Sequence, residues 1–227
     1  MKSVMVNGQK FQIKSSQWGK RLYLGSLGIT HISDIKGLAE IKDLGYLDLT
    51  FNKIQEIEGL ETLTNLKVLN LSWNNIFKIK GLNNLHSLNI LHLENNKICS
   101  ISGLKNLGEL EVLDLSHNQI TKINGLENLN KLSILNLQDN LIEEVDGLDN
   151  LTELEELILE NNRISKIQGF SKLESLRVLS LMNNRITTLE NIEELQIYRV
   201  HTLILTGNPL EISELATSHE DEEIYQL

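Results

Sequence analysis

Apolar and polar positions along this chain recur as one phrase, Leu-x-Leu-x-x-Asn-x-Ile-x-x-Ile-x-Gly-Leu-x-x-Leu-x-x-Leu-x-x. It is complete at Leu69, Leu71, Asn74, Ile76, Ile79, Gly81, Leu82, Leu85 and Leu88. Its leading leucines stand at Leu47, Leu69, Leu91, Leu113, Leu135, Leu157 and Leu179, a constant step of 22 residues, with outlying copies at Leu22 and Leu203. A fixed period in that range marks a solenoid, in which each coil packs on its neighbours alone. The alternation inside Leu-x-Leu has period two, so both leucines turn inward from a short strand while the residue between them turns out. Stacked coils then build a parallel sheet. The later leucines, spaced by three, suit tight 3₁₀-like turns.

Two polar or flexible columns accompany the leucines. Asn52, Asn74, Asn96, Asn118, Asn140, Asn162, Asn184 and Asn208 stand where the chain leaves the sheet. A buried amide there satisfies backbone groups of its own coil and the next, which predicts an asparagine ladder. Gly37, Gly59, Gly81, Gly103, Gly125, Gly147 and Gly169 form the second column, and Asn191 ends it. Asparagine is the residue after glycine that best tolerates the left-handed region, so this column predicts a positive-φ turn.

The ends depart from the repeat. Residues 1–19 read as an N-terminal β-hairpin cap, because Val4-Met5-Val6 and Phe11-Gln12-Ile13 alternate around Asn7-Gly8, a type I′ turn signal. Such a hairpin is expected to cover both the open sheet edge and the exposed core leucines. The solenoid proper takes residues 20–210 in about nine coils. Its first coil has Leu27 where the others have asparagine, and the pattern slips again at Gln196 to His201. Residues 211–227 give a short cap, with Ile212, Leu215 and Ala216 on a turn of helix. An acidic tail from Thr217 is expected to stay solvated and disordered.

The quoted phrase resembles the leucine-rich repeat. Its constant 22-residue form with Ile-x-x-Ile-x-Gly-Leu is similar to the subclass typified by the leucine-rich regulatory subunit of protein phosphatase 1, over residues 20–210. Bacterial internalins share a similar repeat. The resemblance implies an α/β leucine-rich-repeat solenoid, a right-handed arc with a parallel β-sheet on its concave face and 3₁₀ or irregular turns on its convex face. It further implies no catalysis, and a protein partner held by the concave surface, a phosphatase catalytic subunit being the named expectation.

Charge narrows the partner. A formal net charge of -10 disfavours nucleic acid, whose binding rests on clustered Lys and Arg. Cys99 is the sole cysteine, so an intrachain disulfide is ruled out and a reducing compartment is expected. With neither a signal-peptide run nor a membrane-length apolar stretch, the expectation is a monomer in the cytoplasm, or in the nucleus of a eukaryote.

The outward columns carry the specificity. Tyr23, Tyr46, Phe51 and Trp73 fall on the N-terminal third of the face in a chain with few aromatics. They read as interface anchors, against ordinary exposed residues or packing on the cap. Asp48, Glu94, Asp114, Asp139, Glu156 and Glu160 make the face acidic, with Arg21 its single basic residue, which suits a partner with a basic surface. Lys53, Lys97, Arg163 and Arg185 follow the asparagines on a lateral edge and read as solvated. An alternative is a structural scaffold using the lateral edges or tail.

His92 and Asp114 share a column in adjacent coils, with Glu94 and His117 nearby. This arrangement raises an enzyme or metal-binding reading. An open sheet without a nucleophile or phosphate loop favours partner contact instead, so no metal or cofactor is expected.

Overall fold

The chain enters through a hairpin. In the computed structural model, which describes residues 3–16, 19–195, 200–211 and 225–226, β1 (Ser3–Val6) and β2 (Gln9–Gln12) pair antiparallel around Asn7 and Gly8, both at positive φ. Val4, Val6 and Ile13 are buried in the common core, and Met5 exchanges two backbone hydrogen bonds of 3.0 Å with Lys36. This hairpin is a separate two-stranded sheet, so it covers core leucines but not the main sheet edge. That edge is taken by β3 (Lys14–Ser16), which runs antiparallel to β4 (Gly19–Tyr23). Capping is therefore divided between two elements where the sequence suggested one.

Every Leu-x-Leu phrase then supplies one rung. After β4 come β5 (Leu44–Asp48), β6 (Val68–Asn70), β7 (Ile90–His92), β8 (Val112–Asp114), β9 (Ile134–Asn136), β10 (Glu156–Ile158), β11 (Val178–Ser180) and β12 (Thr202–Ile204). From β4 to β12 the strands pair in parallel and in sequence order. The register sets Leu47 beside Leu69 and Leu69 beside Leu91, and so on, so each leucine packs against its own equivalents. The leucines and isoleucines of the phrase are buried from coil to coil, except Leu189 and Ile192 in the last regular one, which are partly buried. On the opposite side the leucines at spacing three close i→i+3 turns, as Leu63 N donates to Leu60 O and Leu66 N to Leu63 O.

The asparagines tie coil to coil. Asn74 Nδ2 donates to Leu71 O (3.0 Å) and Ser72 O (3.1 Å) of its own coil and to Leu49 O (2.9 Å) of the preceding one, while Oδ1 accepts from Ile54 N (3.0 Å). The amide thus reaches back to the preceding coil, whereas the sequence reading had it reach forward. Asn52 compensates for Leu27, since its Oδ1 accepts from the backbone N–H groups of both Leu27 and Ile29. A second, exposed ladder runs along the convex side: Asn84, Asn106, Asn128 and Asn150 donate to Glu61 O, Asn83 O, Lys105 O and Glu127 O. The sequence offered it as a fixed asparagine column that went unread.

Gly81 shows why its column is glycine. Its φ is +75°, and a Cβ there would lie 2.2 Å from Ile57 O in the coil before. Asn191 takes the same backbone region at φ 65°. The slipped segment 196–199 and residues 212–224, with the expected cap helix and the acidic run, lie outside the described residues. The end of the expected tail does not follow the disordered reading, because β13 (Tyr225–Gln226) pairs in parallel with Leu203 and Ile204. No helix among the described residues is long and apolar enough to cross a membrane.

Candidate functional site

The concave face is set by how each strand ends. Asp48, Asn70, Asp114 and Asn136, one per coil between the leucines, accept on Oδ1 the backbone N–H two residues later, from Thr50 (2.9 Å), Ser72 (3.0 Å), Ser116 (2.9 Å) and Gln138 (3.0 Å). These short side chains shape the exit turn as well as colouring the face. The hydroxyls of Thr50, Ser72 and Ser116 donate to the same oxygens. In consequence Ser72 and Ser116 are buried, although strand alternation turned that column outward; Ser180, in the column between the leucines, is buried as well.

The next column holds the feature that sequence reasoning missed. The residue before each ladder asparagine, and before Leu27 in the first coil, has positive φ: Ser26, Phe51, Trp73, Asn95, His117, Asp139, Asn161, Asn183 and Gly207. The chain must swing off the sheet there for the following amide to point inside. Asn, Asp, His and Gly tolerate that region, whereas bulky side chains seldom occupy it. Phe51 and Trp73 nonetheless occupy it, at φ 53° and 56°. They remain 56% and 50% exposed, and their rings stack at 5.2 Å with an interplanar angle of 18°. Strain without burial is what distinguishes this pair.

A stability prediction follows from that strain. Moving a bulky residue out of the left-handed region recovers about 1 kcal/mol per site, and losing one ring pair costs about 0.5–1.5 kcal/mol. A Phe51→Asn, Trp73→Asn double variant is therefore expected to be at least as stable as the wild type in urea unfolding; a loss of about 2 kcal/mol would assign the aromatics to the fold.

Tyr23 and Tyr46 form a second pair, with ring centroids 5.2 Å apart and tilted by 43°. Lys14 Nζ sits 5.8 Å from the Tyr23 ring and the Arg21 guanidinium 5.6 Å from that of Tyr46. Burial, then the Asp48 charge and Tyr23, push the Tyr46 phenol above its ordinary pKa, which keeps it neutral. The four aromatics thus form two pairs, and Lys14 joins Arg21 as a cation at the face. Arg21, Tyr46, Lys67, Val68, His92 and Glu111 are among the residues lining a depression of about 560 Å³.

The acidic residues divide in a similar way. His117 Nδ1 lies 3.4 Å from Asp139 Oδ2, which also accepts from Gln138 Nε2, so His117 leaves the cluster expected around His92. Its place in the positive-φ column is the reason, since that turn carries it off the strand. Glu160 accepts from Ser180 Oγ (2.8 Å), and Asp114 Oδ2 from Asn136 Nδ2 (3.3 Å). His92, Glu94 and Asp114 remain together. Away from this face, Lys53, Lys97, Arg163 and Arg185 are exposed and use their backbone N–H groups between coils. Phe77 is 47% exposed beside Thr30, His31, Gln55 and Glu56, and Cys99 is exposed.

With this geometry in place, comparison with known proteins is direct. Residues 109–150 and 152–195 each match the family model described as leucine-rich repeats in two copies. The fold is a leucine-rich-repeat solenoid. Its solenoid is similar to internalin C2 from Listeria monocytogenes, with 28% identity over 84% of this chain and 79% of that one and a TM-score of 0.70. It is similar as well to a leucine-rich-repeat protein of Leptospira interrogans, with 28% identity, 86% and 56% of the two chains covered and a TM-score of 0.68. The crystal structure of a TLR13–ssRNA13 complex matches at 26% identity over 90% of this chain and 33% of that one, with a TM-score of 0.71. This chain therefore spans only part of the length of the latter two relatives. No curated protein sequence matches it at a significant level. A leucine-rich-repeat fold of this kind supports a protein–protein interaction module.

Proposed function

We propose that this leucine-rich-repeat chain is a noncatalytic adaptor or regulatory subunit that grips a protein partner on its concave face. The observation that carries the reading is the Phe51–Trp73 stack, held at unfavourable φ and left half exposed. A fold gains nothing from that combination, whereas an interface gains two preformed aromatic anchors. Asp48 shares a coil with Phe51, and Asp139 and Glu160 continue the negative charge along the same face three and four coils beyond Trp73, so the fitting partner is basic. The net charge of -10 argues against a ligand such as the single-stranded RNA of the TLR13 complex. The resemblance to the regulatory subunit of protein phosphatase 1 supplies one named candidate, the phosphatase catalytic subunit. Monomeric state and a cytoplasmic or nuclear setting belong to the same proposal.

Surface plasmon resonance with a purified phosphatase 1 catalytic subunit tests the named partner. Saturable binding is expected, with an on-rate falling by about tenfold or more between low and high salt. Absence of binding removes the phosphatase from the proposal, and binding indifferent to salt removes electrostatic steering.

A further inference from the structure

The middle of the sheet carries chemistry that an aromatic interface does not use. His92 on β7 and Asp114 on β8 are direct register partners, and Glu94 follows His92 by two residues. One donor atom from each residue, an imidazole nitrogen and two carboxylate oxygens, lies within 4.8 Å of the other two.

A second observation is independent of that spacing. Glu94 Oε2 is shut off from solvent and has no hydrogen-bond partner. His92 Nδ1 stands 3.9 Å from it, beyond hydrogen-bond reach. The column itself does not impose this, for Glu160 stands at the equivalent place three coils on and accepts the Ser180 hydroxyl at 2.8 Å. A carboxylate oxygen withdrawn from water without a donor is costly, and a cation offsets that cost directly. Meanwhile Asp114 is held in place, since its Oδ1 accepts from the Ser116 backbone and hydroxyl and its Oδ2 from Asn136 Nδ2. Such outer contacts are what orient a metal-binding carboxylate.

We propose that His92, Glu94 and Asp114 form a site for a divalent transition metal, with zinc the best match. One imidazole with two carboxylates and no thiolate excludes the softest ions, and the imidazole disfavours calcium and magnesium. Zinc bonds of about 2.0–2.1 Å place tetrahedral donors roughly 3.4 Å apart. The 3.9 Å between His92 Nδ1 and Glu94 Oε2 closes to that value by a small side-chain rotation. Three ligands from the chain leave a coordination position for water or for a donor from a bound protein.

Calorimetric titration of the untagged chain with zinc alone tests the site. One saturable equivalent is expected for the wild type and for His117→Ala. Binding weaker by about a hundredfold is expected for His92→Ala and for Glu94→Gln. Both residues sit on the face and hold no backbone group, so an unchanged circular dichroism spectrum separates metal loss from unfolding. Failure of the wild type to bind zinc saturably, or undiminished binding by His92→Ala and Glu94→Gln, would overturn the proposal.

Discussion

Replacing Asn118 by alanine is expected to cost about 4 kcal/mol of folding stability. Its Nδ2 donates to Leu93 O (3.0 Å), Leu115 O (3.0 Å) and Ser116 O (3.1 Å), and its Oδ1 accepts from Ile98 N (2.9 Å). Truncation strands the Ile98 donor away from water, at about 1–3 kcal/mol, and removes three further bonds at about 1 kcal/mol each, Leu93 O keeping its second donor, Asn96 Nδ2. The loss falls on the seam between two coils. A solenoid is held together only by such nearest-neighbour seams, so one failure in the middle affects both halves. Asn128 provides the contrast, since it makes a comparable 3.1 Å bond to Lys105 O in the exposed convex ladder. Water replaces that bond, so Asn128→Ala should change stability by about 0.5 kcal/mol or less. Urea midpoints for the two variants check both values; equal losses would deny the buried ladder its role.

The second large effect is expected at Gly81. Alanine there has to adopt φ +75°, and its Cβ would stand 2.2 Å from Ile57 O and 3.0 Å from Ile57 C. Both atoms are backbone, so no side chain can swing aside and the preceding coil itself must move. The left-handed conformation alone costs about 1 kcal/mol, and the forced displacement brings the total to about 3–4 kcal/mol. Gly8→Ala separates the two contributions: φ is +79° with nothing within 4 Å of the added Cβ. Only the conformational cost of about 1 kcal/mol should remain in that variant. Thermal unfolding of the pair gives the comparison.

Most of the solenoid was legible in the sequence because each column packs against copies of itself. Leu69 meets Leu47 and Leu91, so the period alone places it, and the same logic found the buried asparagines and the positive-φ glycines. What stayed hidden was set by backbone turns instead of burial. The positive-φ column was signalled by Asn95, His117, Asp139, Asn161, Asn183 and Gly207, yet Phe51 and Trp73 broke the composition that would have revealed it. Missing that turn also misplaced His117 near His92. Ser72 looked outward by alternation, but a side chain so short folds back onto Asn70. Strand β3 carries no apolar alternation in Lys14-Ser15-Ser16, because it forms as an edge pairing with β4 and contributes no core residue. The repeat thus specified the leucine-rich-repeat fold, while the residues at its strand ends had to be placed in three dimensions before their roles could be read.

The most direct test of the concave-face account compares affinity capture from lysate of the source cells for the wild type, the Phe51→Asn, Trp73→Asn double variant and Phe77→Ala on the outer side. Asparagine suits the backbone at both concave positions, so lost capture by the double variant could not be ascribed to unfolding. The account predicts that one protein is held by the wild type and by Phe77→Ala and is released by the double variant. Capture unchanged in the double variant, or lost only with Phe77→Ala, would contradict it and move recognition to the edges or the outer face.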